Sequence, residues 1–188
     1  MSINASKQAL IDYLTNARSK REERGCLAQI ETILFLKEKV TPDYHAYAVR
    51  YTSTTGQQWE EAWCMRANPD RVPENAWVWP TGTGSRTKAE NRFVTTEDEQ
   101  RAHESQPWIR LSGEEKPEGY WFLHGYLIAN GYDVARVRMV PASGSVEVDE
   151  VQDGFVLFLK QCSLPIEFEL YSPSHALIGK QRWDFEPL

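Results

Sequence analysis

The chain has 188 residues, 41% hydrophobic and 26% charged, with a formal net charge of −6. This is the composition of a globular protein, and the length suits one domain, 1–188, that buries about 70% of its unfolded surface without staples. Three scattered cysteines, Cys26, Cys64 and Cys162, argue against a disulfide framework and a cysteine-rich zinc site, and no apolar run reaches the length of a membrane span.

Charge is unevenly spread. Residues 1–92 carry 13 Lys and Arg against 11 Asp and Glu, whereas residues 93–188 carry 8 against 16. The acidic half disfavours a nucleic-acid partner, whose phosphates need a basic face. It suits a soluble surface and is compatible with a basic protein partner. The opening residues, MSINASKQALIDYL, contain no run of signal-peptide length, so the expected location is cytoplasmic. Seven Trp residues are many for this length, but large aromatics serve cores and binding surfaces alike.

In chain order, Asn4–Arg24 reads as an N-terminal amphipathic helix within segment 1–25. Ala9, Leu10, Tyr13, Leu14 and Ala17 form one stripe, Asn4 or Ser6 caps the start and Gly25 ends it. Its basic end, ARSKREER, reads as a solvated helix terminus. Segment 27–65 is expected to be a β-meander. Leu27–Lys37 suits a strand by its β-branched content, although a helix also fits its spacing. Tyr44–Thr52 and Gln58–Met65 follow as strands around the Thr54–Gly56 turn.

Segment 66–118 reads as long loops with one short helix. Arg66–Arg92 holds Pro69, Pro73, Pro80, Gly82 and Gly84 without periodicity, and two tryptophans, Trp77 and Trp79, lie inside it. Loops of this length are often functional. TGTGSRTK at 81–88 lacks the Gly-Lys-Ser/Thr ending and preceding strand of a phosphate-binding loop, so it reads as a flexible basic loop with Arg86, Lys88 and Arg92. Thr95–Glu104 starts like a surface helix, and Gln106–Gly119 reads as a second loop.

Gly119–Val140, GYWFLHGYLIANGYDVARVRMV, opens the β-rich half, 119–188. Asn130-Gly131 suits the two positive φ angles of a type I′ turn, so a hairpin is expected that sets Leu127 against Val134 and Phe122 against Met139. The rival reading makes 120–129 a helix stopped by Asn130 and Gly131. Further strands are expected at Ser145–Val151, Phe155–Lys160, Ile166–Tyr171 and His175–Phe185, with a bulge near Gly179. The fold class is therefore α+β: an N-terminal helix packed on a curled, mainly antiparallel sheet, as a sandwich or half-barrel.

For chemistry, His45, His103, His124 and His175 form no metal-ligand spacing, and no cofactor motif is present. Neighbouring carboxylates such as Glu60 and Glu61 point to opposite faces of a strand, which makes them poor catalytic pairs. Glu147 with Asp149, and Glu167 with Glu169, read as solvated faces. The expected function is non-catalytic: an intracellular binding or adaptor protein that engages a protein partner through Trp77, Trp79, Arg86, Lys88 and Arg92, since Trp and Arg anchor interfaces. One alternative is a small-ligand carrier with a pocket lined by Trp59, Trp63, Trp121, His124 and Tyr126. The other is a hydrolase-like enzyme using His45 or His124.

Overall fold

The structure, a computed structural model, describes residues 3–16, 21–66, 86–88 and 106–184, with side chains from Ala5 onward and backbone alone at 86–88. These residues belong to two compact units that divide between Arg92 and Phe93. The protein is mostly antiparallel β with one short N-terminal helix. No helix among the described residues is long and apolar enough to cross a membrane.

The first unit begins with α1, Ile3–Leu14. Its stripe buries Leu10 and Leu14 completely. The helix is much shorter than the predicted Asn4–Arg24. Thr15 Oγ1 turns back onto the Ile11 carbonyl (2.9 Å) just after the last turn. Residues 21–25 form a separate turn, closed by the Gly25 N–H on the Glu22 carbonyl (2.9 Å), with Gly25 at φ 65°. Of the basic run, residues 17–20 lie outside the described residues, and Arg21, expected on a solvated helix end, is drawn inward and is 2% exposed.

Four strands follow: β1 (Leu34–Val40), β2 (Tyr44–Thr52), β3 (Gln58–Arg66) and β4 (Arg86–Lys88), antiparallel in that order. The predicted meander is present, although its first strand starts later than expected, after a 3-10 turn at Ile30–Thr32. β2 and β3 keep unbroken register from Tyr44↔Arg66 to Thr52↔Gln58. Tyr47, Val49 and Tyr51 of β2, with Trp63 and Met65 of β3, face the helix and share a core with Leu10, Leu14 and Ala28. Tyr13 meets Trp63 edge-on at 4.9 Å, so the helix packs on the sheet as expected. One expectation changes: Arg86 and Lys88, read as loop residues, stand on a strand that pairs Arg86 with Glu61 and Lys88 with Trp59. A three-residue strand is too short to show periodicity, and its pairing comes from β3.

In the second unit, β5 (Trp108–Lys116), β6 (Tyr120–Ile128) and β9 (Phe155–Gln161) form one sheet in the order β5-β6-β9. β7 (Arg136–Ser143), β8 (Glu147–Glu150), β10 (Ser163–Tyr171) and β11 (Leu177–Trp183) form another, ordered β11-β10-β7-β8. Segment 106–119 is therefore mainly a strand, not a loop. Its Gly113 is a close-approach position: a Cβ there would lie 2.3 Å from the Leu123 side chain and 2.6 Å from the Phe122 carbonyl. Gly125 plays the same part on β6, where a Cβ would come within 2.2 Å of the Arg110 carbonyl.

The hairpin expected at 119–140 does not form. Asn130 and Gly131 adopt φ 48° and 85°, and Tyr132 N–H closes onto the Ala129 carbonyl (2.9 Å), so the local turn is as read. Residues 120–128 are strand, which removes the helix alternative. But β6 is already paired on both edges, to β5 and β9, and the chain leaves the turn for the other sheet, where β7 pairs with β10 and β8. Leu127 and Val134, expected as cross-strand neighbours, instead meet in a core to which both sheets contribute, with Ile109, Leu123, Val137, Met139, Phe158, Ile166, Phe168 and Leu170.

The two sheets are stitched at both margins by side chains. Gln181 on β11 accepts the Ile109 N–H (2.8 Å) and donates to the Ile109 carbonyl (2.9 Å), standing in for a neighbouring strand. Asp149 on β8 accepts the Leu157 N–H of β9 (3.0 Å). Asp149 was expected on a solvated face. It is buried, and Val146 and Val148 are the exposed residues, because capping an inter-sheet N–H takes priority over alternation. The other face of β10 is as read: Glu167 and Glu169 point outward and pair with Lys180 (2.7 and 3.2 Å), and Glu169 also binds Arg138 (3.0 Å). A register shift beside Gly179 matches the expected bulge. None of the three sheets is closed or strongly curled, which corrects the curled, half-barrel expectation.

Candidate functional site

The densest polar constellation among the described residues lies in the first unit, beneath the 21–25 turn. Carboxylates in the aromatic strand QWEEAWCM must find partners once buried, and both do. Glu60 turns to one face and takes Arg50 (2.7 Å). Glu61 turns to the other and receives Arg21 through two nitrogens, Nη2 (2.8 Å) and Nη1 (3.2 Å), as well as Trp63 Nε1 (2.7 Å) and Tyr51 Oη (2.5 Å). Arg21 Nη2 also reaches the Cys26 carbonyl (3.0 Å) and Tyr51 Oη (2.6 Å). Burial works against the Arg21 cation, but the Glu61 hydrogen bond and charge outweigh it and hold its pKa above the ordinary value. Burial, then the Glu61 charge, raises the Tyr51 phenol. Both shifts favour the charged guanidinium and the neutral phenol, and the buried Arg21–Glu61 pair anchors the turn.

This anchoring shapes a surface cleft of about 340 Å³ lined by Arg24, Gly25, Thr55, Gly56, Gln57 and Trp59. Trp59 Nε1 (3.2 Å) and Thr55 Oγ1 (3.3 Å) both donate to the Gly25 carbonyl, tying the 21–25 turn to the β2–β3 turn. Thr54 N–H donates to the Leu27 carbonyl (2.8 Å) and adds a third tie. Sequence reading missed this cleft. The one available signal was the pair of glycines, Gly25 and Gly56, both at positive φ, which mark two turns but not that they meet.

A second cluster joins α1 to β2. Ser6 Oγ lies 2.8 Å from His45 Nδ1 and 2.5 Å from Tyr47 Oη, and His45 Nδ1 is 3.2 Å from Tyr47 Oη. Burial lowers the His45 pKa, opposed by the charge of Glu38, and burial raises that of Tyr47. The hydroxyl–imidazole spacing is that of a nucleophile and its base. Yet Ser6 is fully buried and His45 is 6% exposed, so substrate has no path to the hydroxyl. In the second unit His124 is 1% exposed, between Phe122 (ring centroids 5.0 Å) and Phe155 (6.4 Å). Burial pushes its pKa down to about 4, so it is a neutral core residue at neutral pH.

Of the residues proposed to bind a partner, Trp77, Trp79 and Arg92 lie outside the described residues, and Arg86 and Lys88 are described by backbone alone. The five proposed pocket residues do not come together as one lining. Trp59 and Trp63 stand on β3 of the first unit. On β6 of the second, Trp121 belongs to the core shared with Leu123 and Leu127, while His124 and Tyr126 alternate to the other face. Among the described residues no three His, Cys, Asp or Glu side chains gather as a metal ion needs. Compared with protein-family models, curated proteins and solved structures, the chain gives no match.

Proposed function

We propose that the chain is a non-catalytic binding protein that engages a protein partner through the Trp77 and Trp79 segment and the basic residues Arg86, Lys88 and Arg92. The observation that supports this is the pairing of β4 with β3. It gives residues 86–88 of the basic segment a rigid platform at the margin of a sheet, where a surface held in one conformation loses less entropy on binding. The buried ionisable clusters fit the same reading, since each serves as an internal anchor. The hydrolase alternative gains a hydroxyl–imidazole pair in Ser6 and His45, but burial leaves that pair the role of tethering α1.

The test is affinity capture from lysate with the purified chain, its Trp79→Ala variant and an Arg86→Glu/Lys88→Glu variant. The reading expects proteins captured by the parent chain to be lost from both variants while circular dichroism stays unchanged. An identical set of captured proteins from all three would sink it.

A further inference from the structure

We propose that the N-terminal half of α1, residues 3–9, is an acid-released strap: the buried cluster of Ser6, His45 and Tyr47 holds it on the sheet, and it lets go when the imidazole takes up a proton. The proposal stands apart from the protein partner suggested above.

The geometry of the tether carries it first. Ser6 Oγ on α1 reaches His45 Nδ1 (2.8 Å) and Tyr47 Oη (2.5 Å), both on β2, and Nδ1 is itself 3.2 Å from Tyr47 Oη. A neutral ring can present Nδ1 as an acceptor to these hydroxyls, whereas a protonated ring only donates. Ser6 is fully buried and His45 is 6% exposed, so a cation formed here is shut off from water.

The charges around the ring work in the same direction. Lys7 comes from α1 and Glu38 from β1, while Val40 and Met65 stand directly opposite His45 on the two neighbouring strands. Glu38 favours the imidazolium, but its carboxylate is bound to Lys7 (2.6 Å), and Lys7 Nζ lies 5.9 Å from the centre of the Tyr47 ring. A cation therefore already occupies this side of the cluster. Burial outweighs Glu38 and keeps the docked ring below its ordinary pKa of 6.5, a value it regains once freed into solvent. Docking is thus fully supported above pH 6.5 and loses support as pH falls below it.

The far end of α1 is fastened differently, by a backbone bond and packing. The Leu14 carbonyl accepts the Ala28 N–H (3.0 Å), Tyr13 meets Trp63 edge-on, and Leu10 and Leu14 are fully buried. These contacts confine the release to the first turns.

The test is amide hydrogen exchange of the full chain by NMR from pH 7.5 to 5, expressed as protection factors so that the intrinsic rate is removed. Protection at residues 7–9 should fall below pH 6.5, by at most about tenfold per pH unit for one proton, and more steeply than at Ala62 and Trp63 of β3. His45→Asn, whose amide oxygen takes the place of Nδ1 without titrating, should abolish the fall, and His124→Phe should leave it in place. In the unmodified chain the His45 ring should titrate with the same midpoint as the protection loss. A ring that titrates while residues 7–9 stay protected would overturn the proposal, as would an equal fall at β3 or an unchanged fall in His45→Asn.

Discussion

Glu61 shows how far a single residue can organise its surroundings. It sits in a strand of aromatic and apolar residues and is 1% exposed. Its two oxygens take two nitrogens of Arg21, the Trp63 indole and the Tyr51 phenol. That demand pulls Arg21 out of what the sequence presents as a helix end. Glu61→Gln would keep the shape but strand a buried guanidinium, and a loss of about 3–5 kcal/mol is expected in urea denaturation. Replacing both partners, as Arg21→Met with Glu61→Leu, should recover most of that loss. A change under about 1 kcal/mol for Glu61→Gln would mean that water reaches the pair.

At the scale of the element, α1 is defined by what it covers. Twelve residues are marginal as an isolated helix in water, so its stability comes from the face it buries. Leu10 and Leu14 supply that face, and Ser6 adds a polar tether to His45. Leu10→Ala should cost about 2–5 kcal/mol, the range for emptying a filled leucine site. Urea midpoints of the variant against the parent chain measure it, and a cost near zero would show that the helix contributes little to this core. The strands obey the same logic from another direction. β6 has both edges occupied, which is why the Asn130-Gly131 turn, correct in its backbone, does not lead into a hairpin. Gly113 and Gly125 are held by packing that the sequence does not display: each lacks a side chain where the neighbouring strand's backbone needs the space.

At the scale of the molecule, the division between Arg92 and Phe93 separates two unlike charge balances, 13 basic against 11 acidic residues before it and 8 against 16 after it. Among the described residues each unit also buries one histidine, His45 in the first and His124 in the second. Both have folded-state pKa values below their ordinary ones, with burial the main cause. The neutral forms are therefore favoured by folding. The associated stability is complete above the ordinary value of 6.5 and is lost as pH falls toward the folded value, about 4 for His124. For His124 the full loss amounts to roughly 3 kcal/mol, taking 1.36 kcal/mol for each pKa unit. Urea midpoints measured from pH 7.5 to 4 should fall, and His124→Phe should flatten part of the slope. A midpoint that is level or rising over that interval would contradict the assignment of both rings as neutral.

By itself the sequence determined those features that depend on near neighbours: the β2–β3 meander, the continuous apolar run of β9, the alternation of β10 with its outward Glu167 and Glu169, the turn geometry at Asn130-Gly131 and the apolar stripe of α1. Each is set by side-chain alternation, helical spacing or backbone permissiveness within a few residues. Tertiary structure alone decided which strands share a sheet, where α1 stops, and that Arg21 and Asp149 turn inward. Those outcomes depend on groups distant in the chain, a carboxylate 40 residues away for Arg21 and an inter-sheet N–H for Asp149. The cleft beside Trp59 belongs with them. Its walls come from two turns that are joined only when the Gly25 carbonyl accepts from both Trp59 and Thr55.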